Sequence, residues 1–345
     1  MMQRVLVGMS GGADSAATAM LLKEMGYSPE GATLILHHYN SCGDDAEAAK
    51  KTASLLDIPF GVVDGEEVFK KTVITPFGES YANGETPNPC IFCNRSAKIP
   101  LLLEEADRRG IELCATGHYV RKGFDGKRYY LMRAKDETKD QTYVLYTLTQ
   151  DMLKRLIFPM GEHIKEEMRP KIEALGLVER ERPESQDICF IPDGDYAGFL
   201  ARECSITSEE GNFIRPDGTI LGRHKGLLHY TIGQRRGLGI SDKARLFVLE
   251  KRSADNTVVL GAPEELFSKT MRVRNINWQA IEPPKDSITA EVKARYRQKA
   301  EKAVITPLSE TEVMVEFINP QRAITSGQSA VFYDGDIVLG GGIIE

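Results

Sequence analysis

Ser10-Gly11-Gly12-Ala13-Asp14-Ser15 crowds a glycine pair, two hydroxyls and a carboxylate into six residues. Upstream, Val5-Leu6-Val7-Gly8-Met9 has the character of a buried strand, and residues 16–22 downstream read as a helix. A glycine-rich turn from strand into helix aims backbone N–H groups and the positive end of a helix dipole at one point, where an anion fits. Gly11 and Gly12 can adopt backbone angles that admit a phosphate closely, and Ser10 and Ser15 add hydroxyl donors. Neither GxxxxGK[ST] nor GxGxxG occurs, and no lysine lies between Arg4 and Lys23. The loop is therefore expected to hold phosphate through backbone and hydroxyls.

A second reactive stretch is Thr86-Pro87-Asn88-Pro89-Cys90-Ile91-Phe92-Cys93-Asn94. Its two prolines should keep the chain extended until a helix opens around residues 94–98. Cys93 would then sit near a helix N-terminus, which lowers a thiol pKa. A Cys-x2-Cys pair serves as a redox pair, half a zinc site or part of an iron–sulfur site. Structural zinc would need a second close pair, and the other four cysteines, Cys42, Cys114, Cys189 and Cys204, stand singly. Cys189, in Ser185-Gln186-Asp187-Ile188-Cys189-Phe190, is the natural third partner. Cys114 lies in an apolar run and reads as a small core residue, while Cys42 and Cys204 are expected in polar loops.

The elements that must position these groups alternate in the first half. Strand signals at residues 5–9, 31–37, 60–63 and 112–116 interleave with helical ones at 14–25, 45–57, 66–81 and 97–109. Such βαβα order implies a parallel sheet covered on both faces, with ligands beyond the carboxyl ends of the strands. Thr116-Gly117-His118-Tyr119 ends one strand and should face the phosphate loop's crevice. A hairpin over 119–133 turns at Asp125-Gly126, Lys139-Asp140-Gln141 follows, and helices are expected at 142–156 and 165–175. From residue 211 onward the signals are short strands punctuated by glycine and asparagine, as in small β domains. The expected fold is thus α/β plus β. A Rossmann-like ATP-binding catalytic domain (1–160) precedes a central mixed domain that carries Cys189 (161–260) and a C-terminal β-barrel-like domain (261–345).

The 345 residues have a net charge of −6, but residues 215–252 carry nine Lys/Arg against three Asp/Glu, and residues 291–302 five against two. Local basic patches rather than total charge mark a nucleic-acid partner. Arg235, Arg236, Arg295 and Arg297 are the candidates. No apolar run is long enough for a membrane span and no leader pattern is present, so cytoplasmic work without a membrane partner is expected.

Seven pieces fit one family. They are residues 10–15, Asn88-Pro89-x-x-x-Cys93-Asn94, Gly117-His118-Tyr119, Lys139-Asp140-Gln141, Ser185-Gln186-Asp187-Ile188-Cys189-Phe190, the run Thr231-Ile232-Gly233-Gln234-Arg235-Arg236-Gly237-Leu238, and a tail from Ala323 to Tyr333 containing Gly327-Gln328. In that order they make the chain resemble the bacterial tRNA-specific 2-thiouridylases. The resemblance implies that ATP, with Mg²⁺, adenylates O2 of the wobble uridine of tRNA and that sulfur then displaces AMP, giving 2-thiouridine. It implies Cys93 and Cys189 as the catalytic thiols, and Gly8, Met9, Ser10, Gly11, Gly12, Ala13, Asp14, Ser15, Leu34 and Gly117 around ATP. It places Asn88, Pro89, Cys90, His118, Lys139, Asp140, Gln141, Arg295, Tyr296 and Gln328 at the tRNA. Its partners are tRNA and a sulfur-donor protein or sulfide, with the chain acting as a monomer. The sequence departs from the family where Cys90 replaces the usual aspartate. Three thiols, Cys90, Cys93 and Cys189, could then hold a [4Fe–4S] cluster with one iron open to sulfide. Delivery from such a cluster and a persulfide on Cys189 both remain open, as does a zinc-held pair. A ligase adenylating a small carboxylate would explain the loop but leave the cysteines idle. A non-catalytic tRNA-binding protein would not need Asp14 and both catalytic thiols.

Overall fold

The computed structural model describes residues 2–39, 42–177, 188–242 and 244–345, with the backbone alone at 42–44. Ser185, Gln186 and Asp187 lie outside the described residues, as does the side chain of Cys42. The first unit alternates β1 (Arg4–Gly8), α1 (Ala13–Glu24), β2 (Ser28–Ile35), α2 (Cys42–Leu55) and β3 (Phe60–Asp64). Val5 and Val7 pack among Ala19, Leu22, Ala49 and Ala53 of the first two helices, while Leu6 between them packs on the opposite layer with Leu102 and Ala106. Alternating residues of one strand thus enter two cores, as a sheet covered on both faces requires.

Two helical runs follow, each interrupted in the same way. α3 (Glu66–Phe69) passes through a wide π turn at Lys70–Ile74 into α4 (Thr75–Ala82), and α5 (Pro89–Cys93) passes through another at Asn94–Lys98 into α6 (Ile99–Arg108). Each π turn ends just before a proline at the second residue of the next segment, Pro76 and Pro100. Proline has no N–H to donate and its ring clashes with the carbonyl four residues back, so widening the turn keeps the run continuous without a kink. The second run opens earlier than the sequence suggests. Asn88 is its N-cap, accepting from the Cys90 amide at 3.1 Å, and Pro89 takes the first helical position. Cys93 consequently lies a full turn inside a helix rather than at its start.

β4 (Leu113–Ala115) pairs with β1, and a hairpin of β5 (Arg121–Phe124) and β6 (Tyr129–Met132) turns as expected. The helix expected over 142–156 is instead a 3-10 turn at Thr142–Val144, then α7 (Gln150–Arg155) and β7 (Leu156–Ile157). Thr149 caps α7 and splits the run, because Tyr143, Leu145, Tyr146 and Leu148 all enter the core and cannot share one helical face. β7 completes a parallel sheet ordered β3-β2-β1-β4-β7, whose order reverses at β1. α8 (Lys165–Ala174) covers α1.

α9 (Tyr196–Cys204) leads to the central sheet of β8 (Gly211–Ile214), β9 (Ile220–His224), β10 (Phe247–Arg252) and β11 (Thr257–Gly261). Cys204 ends that helix instead of lying in a loop, its thiol facing the Ile74 carbonyl. Cys114 is fully buried, as expected. The last unit is β12 (Phe267–Trp278), β13 (Ile288–Lys293), β14 (Glu301–Pro307), β15 (Glu312–Arg322), β16 (Ser329–Asp334) and β17 (Ile337–Ile344). These six antiparallel strands close on themselves through β12–β17 pairing, and the β5–β6 hairpin joins the same sheet at Met132 and Ile337. The chain is therefore α/β plus β, with a Rossmann-like first unit and a C-terminal barrel.

Candidate active site

The loop after β1 and the segment after β4 meet where the strand order reverses. Gly11 has φ +70°, and Gly12 is the extended N-cap of α1. Ser15 Oγ donates to the Gly12 carbonyl at 2.8 Å and accepts from the Ser10 amide at 3.2 Å, so both serines shape the loop. Met9 is tied to β2 through Ala32 and Thr33, and Leu34 lies half-buried farther along that strand. A Cβ on Gly117 would come within 2.9 Å of the Asp14 carbonyl carbon, so only glycine lets the end of β4 rest on the first turn of α1. Ala13 and Asp14 form that turn.

Asp14 is held on both sides. Its Oδ2 takes an ion pair from Lys165 Nζ at 2.8 Å, and its Oδ1 accepts from Tyr119 hydroxyl at 3.0 Å. Lys165 also lies 5.6 Å from the Tyr119 ring centroid. A lysine thus reaches the phosphate loop after all, from α8 and some 150 positions downstream. Nothing local in the sequence announces it. Gln141 Oε1 fixes the Tyr119 amide at 2.9 Å, and Asp140 accepts from Thr142 hydroxyl at 2.6 Å. Lys139 closes the short 3-10 turn before them. His118 is buried, with Nδ1 2.8 Å from Thr116 hydroxyl, and burial pushes its pKa down to about 3. It is neutral at working pH.

The thiols gather on the other wall. Cys93 is buried in an aromatic cluster with Phe69, Phe77, Phe190 and Phe199, whereas Cys90 and Cys189 are exposed. Phe190 is the hub, 5.5 Å from Phe69 and from Phe77 and 5.2 Å from Phe199, and anchors Cys189 beside it. Desolvation pushes all three thiols up, Cys189 to about 12, with Cys90 and Cys93 raising it further. Exposure gives Cys90 and Cys189 access, while the protein packed around each thiol still disfavours its charge. This is opposite to the lowered thiol expected for Cys93, whose position inside the helix removes the N-terminal field. Lys98, at the end of the second π turn, pulls all three thiols down. His37 Nε2 lies 3.3 Å from Cys189 Sγ, with the ring packed against Phe69 and its buried Nδ1 without a partner among the described residues. Lys98 and His37 were not among the sequence candidates. His37 follows β2, and the rule that ligands sit beyond strand ends could have found it. Among the described residues no group of three or more His, Cys, Asp or Glu side chains is arranged to hold a metal ion.

The barrel holds the stretch leading to Cys90. Gln328 Nε2 donates to the Thr86 carbonyl, the Thr86 amide donates to Ser326 at 2.9 Å, and Arg274 pairs with Glu85 at 2.6 Å. Arg295 is half-buried and donates to Ile232 and Thr325, bridging the central unit and the barrel. Tyr296 is exposed, its ring 5.7 Å from Tyr143 and 5.5 Å from the Lys293 ammonium. Arg235, Arg236 and Arg297 are exposed.

Family models match in three segments: the tRNA methyl transferase HUP domain over residues 3–193, the tRNA methyl transferase PRC-barrel domain over 198–262 and the aminomethyltransferase beta-barrel domain over 268–344. The tRNA-specific 2-thiouridylase MnmA 1 of Caldanaerobacter subterraneus subsp. tengcongensis is 45% identical over 99% of this chain and 98% of its own. The chain belongs to the tRNA-specific 2-thiouridylase family. The 2-thiouridylase MnmA of Clostridium acetobutylicum is 43% identical with both chains covered completely. Among solved structures, U34-tRNA thiolase NcsA from Methanococcus maripaludis with its [4Fe-4S] cluster superposes on 58% of this chain and 66% of its own, at TM-score 0.38 and 20% identity. So loose a match carries no weight for the thiols of this 2-thiouridylase. A HUP domain of this kind fits an ATP-utilising enzyme.

Proposed function

We propose that the protein adenylates O2 of the wobble uridine of tRNA and replaces that oxygen with sulfur, releasing AMP and pyrophosphate. The observation that carries this reading is the meeting of a phosphate loop and a cysteine pair at one end of a parallel sheet, in a chain that aligns end to end with 2-thiouridylases. Gly8, Met9 and the 10–15 loop, with Leu34 and Gly117, form the ATP site of the 1–160 unit. O2 attacks the α-phosphorus, the bond to the bridging oxygen breaks, and pyrophosphate leaves toward the loop amides and the α1 dipole. Mg²⁺ travels with ATP, and Asp14 is the loop's one carboxylate to meet it.

A carbonyl oxygen leaves poorly until adenylated, and a soft sulfur nucleophile then displaces it. Cys189 carries the terminal persulfide sulfur, which attacks C2 and expels AMP. Cys93 opens the resulting disulfide at the Cys189 sulfur, which leaves 2-thiouridine and a Cys93–Cys189 disulfide for an external thiol to reduce. A donor protein's persulfide then passes its outer sulfur to the reduced Cys189 thiolate; alternatively sulfide takes the place of the external thiol, attacking the disulfide at the Cys189 sulfur so that the Cys189 persulfide forms and the Cys93 thiol is released. Asn88, Pro89, Cys90, His118, Lys139, Asp140, Gln141, Tyr296 and Gln328 surround the uridine and its loop. Arg235, Arg236, Arg295 and Arg297, in the 161–260 and 261–345 units, hold the RNA, and the chain works as a cytoplasmic monomer.

One observation favours a second sulfur route: Cys90 supplies a third thiol that acts electrostatically on Cys93 and Cys189. The three would be ligands of a [4Fe–4S] cluster offering an open iron to sulfide. As placed they do not form a ligand group, so no step is derived through a cluster. Anaerobic purification separates the routes. Protein free of iron that thiolates tRNA supports the persulfide, and Cys90→Asp is then tolerated. Iron that is lost together with activity in Cys90→Asp establishes the cluster. Absence of tRNA-dependent AMP release would remove the function altogether.

A further inference from the structure

A separate pocket of about 420 Å³ opens beside the thiols, where all three units meet. Tyr81, Thr86, Tyr196, His229, Thr231 and Gln328 line it, and Ile188 brings it next to Cys189. None of Cys90, Cys93, Cys189 or residues 10–15 is in its lining, so it is not the place where the base meets ATP and sulfur. Its volume lies within the range of pockets that enclose small ligands. Three features go beyond mere space. Tyr81 and Tyr196 stand nearly parallel in one wall, with ring centroids 6.4 Å apart at 30°. Among the described residues the buried Thr86 hydroxyl has no hydrogen-bond partner, although the Thr86 backbone is doubly held by the barrel. The Lys251 ammonium lies 5.7 Å from the Tyr81 ring centroid with no carboxylate partner among the described residues.

An aromatic platform, an unsatisfied hydrogen-bonding group and a cation alongside are the parts with which proteins hold one nucleotide of a single strand. A buried hydroxyl left unpaired is costly, and a base edge would satisfy it. Burial lowers the Lys251 pKa to about 8, a cost that a phosphate would relieve. Pro87, in the lining, precedes Cys90 by three residues, a separation of at most about 11 Å of extended chain. The occupant must therefore be a near neighbour of the reacting base.

We infer that this pocket receives the base of a nucleotide directly flanking the target uridine, stacked on Tyr196 and bonded by Thr86, so that docking of the neighbour sets which uridine is thiolated. The inference rests on the tRNA-thiolating reading above.

The test uses the full-length enzyme and synthetic anticodon stem-loops, intact or with an abasic site immediately 5′ or 3′ of the target. Stacking of one base is worth about 1–3 kcal/mol, or roughly 5- to 150-fold. One of the two abasic RNAs should raise KM for the wild type by such a factor, with kcat little changed. Tyr196→Ala should raise KM comparably on the intact loop but add less than about twofold on that abasic RNA, the non-additivity of partners in contact. Thr86→Val, nearly isosteric, should raise KM by about 3- to 10-fold with the same coupling, and it serves if Tyr196→Ala fails to fold. Equal penalties on every RNA, or none, overturn the pocket's role. If the wild type thiolates no intact loop or tRNA, the functional reading falls as well, which separates the two failures.

Discussion

The phosphate loop and the thiol wall face each other across the same strand ends, yet they are built in opposite ways. The loop is one contiguous stretch, its geometry set by Gly11 at φ +70°, by an extended Gly12 and by serine bonds spanning three to five residues. The thiol wall draws Cys93 from a helix interrupted by a π turn and Cys189 from a turn held by Phe190, with His37 arriving from the end of β2. A site built from one stretch should fail through local clashes. A site assembled by packing should fail through loss of distant support.

The largest expected effect tests the first half of that contrast. Gly117→Val drives a side chain into the Asp14 backbone, and both AMP release and thiolation should fall by more than about 100-fold while the fold persists by circular dichroism. Loss of thiolation alone would show that the loop is more yielding than its geometry implies. Phe190→Ala tests the other wall. It should cost about 3–5 kcal/mol of stability by chemical denaturation, and below its unfolding temperature it should slow sulfur transfer about tenfold while leaving tRNA-dependent AMP release nearly intact. Equal loss of both steps would merge the two walls into one unit.

Lys98→Met probes the charge shared by the thiols. Without that cation their pKa values rise further, so the limb on which thiolation rises with pH should move to higher pH, with a severalfold loss near neutrality. An unmoved limb would detach Lys98 from the thiols. The smallest effect lies in the last turns of α6. Hydrogen bonds from Arg108 and then Arg109 hold Glu105 down to about 2 against the opposing pull of burial. A carboxylate pKa depressed on folding stabilises the protein above the unfolded value near 4, and that stabilisation is lost as pH falls through about 2. Glu105→Gln should therefore cost about 2 kcal/mol at pH 7 in urea melts, with the difference shrinking toward pH 2 and little change in either catalytic step.

The same contrast explains what could be read from the sequence. Residues 10–15 announce themselves because every participating group is local, and β1, β2 and, in the barrel, β16 show through their apolar runs. β17 escapes notice because Gly340, Gly341 and Gly342 erase its pattern. They are glycines because a Cβ at each would collide with a neighbouring backbone carbonyl. Lys165 and Lys98 look like ordinary surface lysines until packing brings α8 against α1 and a widened turn aims residue 98 at the thiols. The position of Cys93 is hidden because a proline between Asn88 and Cys90 suggests extended chain, whereas behind an asparagine cap Pro89 opens a helix.

The β5–β6 hairpin belongs by sequence to the first half of the chain, yet Met132 pairs with Ile337 and Gln279 Oε1 takes the Leu131 amide at 3.0 Å. Arg128 reaches the carbonyls of Trp278 and Gln279 as well. Cutting the barrel away would therefore do more than remove a module. It would strip a strand edge of its neighbour and present it raw to solvent, where edges recruit other edges. A truncated first half should emerge as aggregate, and exchanging barrels between relatives should succeed only when the hairpin travels with them.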